Sequence, residues 1–212
     1  MASSILELKK LDYVKAEREL DEFKSWLDAH AECEEYEIVG ELKVRPDLCL
    51  LIQLAAGKGY PDSYKFEFNL QGAFRADLVT GSTTEKHFVL VEFEGARRDS
   101  IFKPKRRNVQ QLADWGTPLQ HAFSQVSDWT WAKNDNQKSV LYQNAFGTAH
   151  MTETYLIVCG RSPFLDGVDE SRLHWRSEQT MIAGRHIRFW TYDQLHENCS
   201  DAMSVFRAAR LP

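Results

Sequence analysis

Disulfide frameworks and structural zinc sites both need cysteines in company, and this chain has few. Its four, Cys33, Cys49, Cys159 and Cys199, stand far apart, with no CxxC pair and no histidine at zinc-finger spacing. They read as reduced thiols of a cytoplasmic protein. No run approaches the ~20 apolar residues that a bilayer-spanning helix needs, and the opening MASSILELKK lacks an apolar stretch of the secretory type. The expectation is a soluble, intracellular protein with no membrane partner. Internal repeats and low-complexity segments are missing too. So is an excess of positive charge: a formal net charge of -5 argues against a protein that coats nucleic acid non-specifically.

What is present suffices for one core. With 212 residues, 43% hydrophobic and 12% aromatic, the chain can bury a single domain without disulfides or structural metals. It divides into a helical part over 1–60, a core over 64–195 and a C-terminal helix over 196–212. Val14, Leu20, Phe23, Trp26 and Leu27 recur at roughly helical spacing and predict a helix from Tyr13 to Ala29. A second helix is expected from Asp47 to Ala56, after Pro46 and before the turn Gly57-Lys58-Gly59. Tyr64 to Leu70 alternates apolar with polar residues, and Phe74 to Val79 and His87 to Phe93 are further strand-like runs. The polar segment Thr80 to Lys86 reads as a hairpin connection. Leu119, Ala122, Phe123, Val126 and Trp129 form a helical stripe, with Thr117 as the expected N-cap and Pro118 just inside. The run Tyr155 to Cys159 suits a strand covered on both faces. A helix beginning near Asp169, a strand from Ile187 to Thr191 and a helix from Asp193 to Ala209 complete the order.

Acids inside apolar strands carry the chemistry. Asp77 sits within Arg75-Ala76-Asp77-Leu78-Val79, where an unpaired carboxylate is costly to desolvate. Val89-Leu90-Val91-Glu92-Phe93-Glu94 places two more carboxylates on one face of the next strand. If the two strands form a hairpin, the three acids approach each other. They then repel unless they share protons or bind a cation, and an all-oxygen set suits Mg²⁺ or Mn²⁺ better than zinc. A divalent ion held there could serve phosphodiester hydrolysis. The alternative is that Glu92 and Glu94 are exposed at a strand end and that Asp77 pairs with Arg75.

Arg97, Arg98, Lys103, Lys105, Arg106 and Arg107 follow closely, interrupted by one acid, Asp99. They form either a solvated basic loop or a surface for the phosphates of DNA. Trp115, Trp129, Trp131, Trp175 and Trp190 are candidates for base stacking, though aromatics at such spacing usually belong to the core. Gly57-Lys58-Gly59 lacks the rest of a P-loop, and Gly160-Arg161-Ser162 is no nucleophile elbow.

An acid on one strand, another on the next strand and a polar-faced helix after them resemble the PD-(D/E)xK nucleases. More closely, Arg75 to Val79, Phe88 to Ala96, Asp99 to Phe102 and His121 to Trp129 resemble the catalytic domain of the Shedu anti-phage nucleases. The likeness continues through Tyr155 to Gly160, Arg172 to Arg176 and Thr191-Tyr192-Asp193. The resemblance implies an α/β, restriction-endonuclease-like PD-(D/E)xK core with a mixed central sheet flanked by helices. It also implies a metal-dependent endonuclease acting on DNA, with Asp77, Glu92 and Glu94 around Mg²⁺ or Mn²⁺ and Gln125 supporting the site. It leaves homo-oligomerisation open. Glu19 or Glu22 is a candidate for the helix acid that many superfamily members add, and His121, one turn before Gln125, could join them. One departure stands out: the parent motif has a lysine two residues after the second acid, where this chain has Glu94. Glu94 could be a ligand or the general base, Lys103 or Lys105 could fold back to replace the lysine, or activity is lost on a retained fold.

Overall fold

A computed structural model describes residues 5–70, 74–104 and 112–209. Its centre is a seven-stranded mixed sheet in the order β1-β2-β3-β4-β5-β7-β6. The strands are β1 (Glu7–Leu8), β2 (Ser63–Asn69), β3 (Arg75–Ser82), β4 (His87–Phe93), β5 (Thr152–Val158), β6 (Met181–Ile182) and β7 (Arg185–Trp190). β1 to β4 pair antiparallel, β4, β5 and β7 run parallel, and β6 closes the edge antiparallel to β7. The helices are α1 (Tyr13–Ala29), α2 (Glu35–Lys43), α3 (Pro46–Ala56), α4 (Thr117–Asn136), α5 (Val140–Phe146), α6 (Gly167–Gln179) and α7 (Tyr192–Ala208).

Alternation along the buried strands explains the layers. Val89, Val91 and Phe93 of β4 and Leu156 and Val158 of β5 face one way, onto α1, α2, α3 and α7 through Phe23, Ile38, Leu51 and Leu195. Phe88, Leu90, Tyr155 and Ile157 face the other way, onto α4, α5 and α6 through Val126, Trp129, Phe146 and Leu173. Each such apolar side chain contributes roughly 1.5–3 kcal/mol when fully buried. This is the expected α/β architecture, a mixed sheet covered by helices on both faces. No helix among the described residues is long and apolar enough to cross a membrane.

Several boundaries differ from the sequence reading. β3 runs on to Ser82, so the hairpin connection shrinks to residues 83–86, because Thr80, Gly81 and Ser82 still pair with β4. Gly116, not Thr117, is the N-cap of α4, and Thr117 is its first helical residue. α2 and α5 were not anticipated. α2 has nine residues, α5 has seven, and each buries only a few apolar side chains, too few for a helical stripe.

Candidate functional site

Asp77 lies at a break in the sheet. The β2–β3 ladder pairs Phe66 with Leu78 and Phe68 with Ala76 but skips the position between, where Glu67 has φ 52°. The β3–β4 ladder ends at Leu78 and Val91. Beyond it the Asp77 side chain takes over: Phe93 donates its backbone N–H to Oδ2 of Asp77 at 2.8 Å. Val79 and Leu90 face α4, so the next residues of the same parity, Asp77 and Glu92, turn to that layer as well. Glu94 follows on the same side, with its N–H donating to Val158 O at 2.9 Å and its carbonyl accepting from Tyr192 Oη at 2.7 Å.

α4 lays two polar side chains over these acids. Gln125 donates from Nε2 to Oε1 of Glu92, and His121 Nδ1 lies 3.3 Å from Oε1 of Glu94 and 3.3 Å from Gln125 Nε2. Asp77, Glu92, Glu94, Gln125 and His121 are thus brought together. Glu92 and Glu94 are buried rather than exposed, and Arg75 pairs with Glu67 at 2.8 Å rather than with Asp77. Burial is the main reason that all three carboxyls hold their protons above the usual carboxylate range, Glu92 furthest. The facing charges of Asp77, Glu94 and Glu35 push Glu92 further in the same direction. The N–H of Phe93 partly offsets the effect at Asp77, and His121 does so at Glu94.

Glu35 is the acid that sequence reading missed. It opens α2, and its charge raises the proton affinity of Asp77, Glu92 and Glu94 alike. The segment before it docks on the end of β4, where Ala96 donates its N–H to Cys33 O at 2.9 Å. At Gly95 a Cβ would come within 3.3 Å of the same carbonyl. The small residue Gly95 beside the acids is what admits this close approach.

Glu19 and Glu22 do not join this cluster. Oε2 of buried Glu19 accepts the N–H groups of Asp47 at 2.8 Å and Leu48 at 2.9 Å, capping α3 from another helix. Glu22 is exposed on α1 beside Arg18. Within the basic segment, Arg97 pairs with Glu34 and Asp99, while Arg98 pairs with Glu32 and lies over the Phe164 ring at 4.6 Å. Lys103 is exposed and makes no ion pair with the acids among the described residues; Lys105, Arg106 and Arg107 lie outside those residues. Trp129 and Trp190 are buried, Trp115 stacks on Phe102 at 4.5 Å, and Trp131 and Trp175 are exposed.

Among the described residues, no group of three or more His, Cys, Asp or Glu side chains is arranged to hold a metal ion. Mg²⁺, however, commonly takes only one or two protein carboxylates and fills its remaining positions with water and phosphate oxygens. Asp77 and Glu92 fit that pattern. Both offer hard oxygen donors, and Oε2 of Glu92 is buried without a hydrogen-bond partner.

The family model described as Shedu protein SduA, C-terminal, matches residues 32–196, from just before α2 into α7. No curated protein matches the chain.

Proposed function

Since the chain belongs to the Shedu SduA C-terminal family, we propose that it is a metal-dependent endonuclease that hydrolyses DNA phosphodiester bonds in anti-phage defence. The observation that carries this reading is the unpartnered Oε2 of Glu92, buried beside Asp77 and Glu94. An unsatisfied buried polar group costs roughly 1–3 kcal/mol. A cation would offset both that cost and the repulsion of the neighbouring acids.

Asp77 and Glu92 would hold Mg²⁺ or Mn²⁺, which supplies Lewis-acid polarisation of the phosphoryl group and neutralises charge on the leaving oxygen. Glu94, with its raised proton affinity, is suited to accept the proton of the attacking water near neutral pH. His121 orients the Glu94 carboxylate through its Oε1 contact. Gln125 fixes Glu92 and can turn its amide to water or phosphate. DNA is the proposed partner, and the cytoplasm the proposed location.

A second reading, a nuclease fold that binds nucleic acid without cutting it, is favoured by Glu94 standing in place of the motif lysine. Supercoiled-plasmid assays in Mg²⁺, Mn²⁺ or chelator separate the two. The nuclease reading expects cutting only with metal, and a loss of about 10²-fold or more in both Asp77→Asn and Glu94→Gln. Cutting by Asp77→Asn at the wild-type rate would sink the site. A silent wild type alongside an active Glu94→Lys variant would establish the second reading.

A further inference from the structure

β4 carries its acids at one end and His87 at the other, five residues away or about 17 Å along the strand. Around His87 opens a cleft of about 560 Å³, bounded by the chain after α3, the start of β5, β7 from Arg185 to Trp190, the end of α6, and α7. Higher on this face the sheet is apolar, with Val89, Val91, Leu156 and Val158 under the helices. At the start of the strands the same face turns polar, to His87 and Thr154, and Arg188 of β7 lies on that face in register with Leu156.

His87 is buried, and its Nδ1 accepts the backbone N–H of Lys58 at 3.2 Å, which places the ring proton on Nε2, 3.3 Å from Thr154 Oγ1. Burial first, and then the charges of Lys58, Arg185 and Arg188, keep the ring neutral, so three cations bear on one point. Arg185 is engaged by Glu153, which also binds Lys133. Neither Lys58 nor Arg188 has a carboxylate partner among the described residues. The remaining acid in the lining, Glu178, is exposed. Two cations without carboxylate partners thus line one cleft and both act on His87, a field that favours an anion there.

We propose that this cleft binds a small phosphate ester of mononucleotide size, with the phosphate between Lys58 and Arg188 and the organic part against Trp190 and Asn198. Arg188 offers a planar fork that matches phosphate oxygens, and Lys58 adds a point charge. The volume lies within the range of small-ligand sites, roughly 300–1,000 Å³. Trp190, the last residue of β7, and Asn198 of α7 add an aromatic edge and an amide to the lining. Nucleotides and sugar phosphates share this chemistry. The site lies on the face of the sheet opposite the one that carries Asp77 and Glu92, and binding there does not depend on their activity.

The test is calorimetric titration of the full chain carrying Asp77→Asn, in chelator, so that neither metal nor cleavage contributes. ATP, ribose 5-phosphate and inorganic phosphate are the three probes. The expected result is saturable binding of at least one ester, about tenfold or more tighter than inorganic phosphate. In Arg188→Ala and in Lys58→Ala that affinity falls by about tenfold or more, while Arg188→Lys retains part of it. Circular dichroism of each variant confirms that the fold is kept. No saturable binding of any probe up to about 5 mM, or unchanged affinity in Arg188→Ala, overturns the proposal. Inorganic phosphate binding as tightly as both esters also overturns it.

Discussion

His87 shows how one side chain converts its surroundings into a dependence on pH. Its folded-state pKa is lowered to about 4 by burial and by the cations around it, against an ordinary value near 6.5. Between those two values the unfolded chain binds a proton that the folded chain refuses, so ΔG of unfolding rises with pH. The contribution of His87 is therefore fully present above pH ~6.5 and is lost as pH falls through about 4, amounting to roughly 3 kcal/mol. The buried acids act in the opposite direction, because raised carboxyl pKa values favour folding at low pH, so the raw stability curve mixes the two effects. Denaturant unfolding of wild type and His87→Gln at several pH values isolates the histidine. The difference between the two curves should be flat above pH 6.5 and narrow steadily below it; a constant difference down to pH 4 refutes the account.

At the scale of elements, the first turn of α3 has no cap of its own, since Arg45 at the N-cap makes no side-chain bond to it. Glu19 on α1 substitutes for that cap, accepting two of the orphan N–H groups. Glu19→Ala should leave both donors buried and unsatisfied, costing on the order of 1–3 kcal/mol, with cleavage per folded molecule unchanged. A drop in cleavage rate at full folding would instead return Glu19 to the catalytic candidates. This residue also marks where sequence legibility ended. The strands and long helices were readable because their apolar residues keep a period of 2 or 3.6, and Asp77, Glu92 and Glu94 stood out as acids inside such runs. The bounds of α1 agree with the pattern residue for residue. Which helix brings an acid to the sheet is a matter of docking, not of period: an acid on α1 reads identically whether it caps α3 or faces the site. Glu35 was invisible for the same reason, since it sits on a helix too short to announce itself and reaches the acids only because residues 33–35 pack on Gly95 and Ala96.

At the scale of the whole molecule, the proposed engagement of DNA by a chain of net charge -5 requires a local field, and the basic segment from Arg97 to Arg107 directly follows the acid strand. The six cations of that segment are not equivalent. Arg97 and Arg98 are committed to Glu34, Asp99 and Glu32, so moving either onto a phosphate exchanges one ion pair for another. Lys103 is exposed, with its backbone tied to Asp114 and its ammonium outside any ion pair with the site acids. On B-DNA each phosphate contact contributes about 0.9 to the slope of log K against log salt. Replacing Lys103, Lys105, Arg106 and Arg107 together by alanine should therefore weaken binding to any sequence and flatten the slope by about 0.9 for each lysine or arginine that touches a phosphate. Arg97→Ala with Arg98→Ala should change it far less. Fluorescence-anisotropy titrations of the Asp77→Asn chain across a salt series read both slopes without cleavage. Equal flattening by the two sets would show that the ion pairs with Glu32 and Glu34 open on binding. An unchanged slope in the fourfold variant would remove the segment from the DNA surface and leave the acids to engage phosphate through the metal alone.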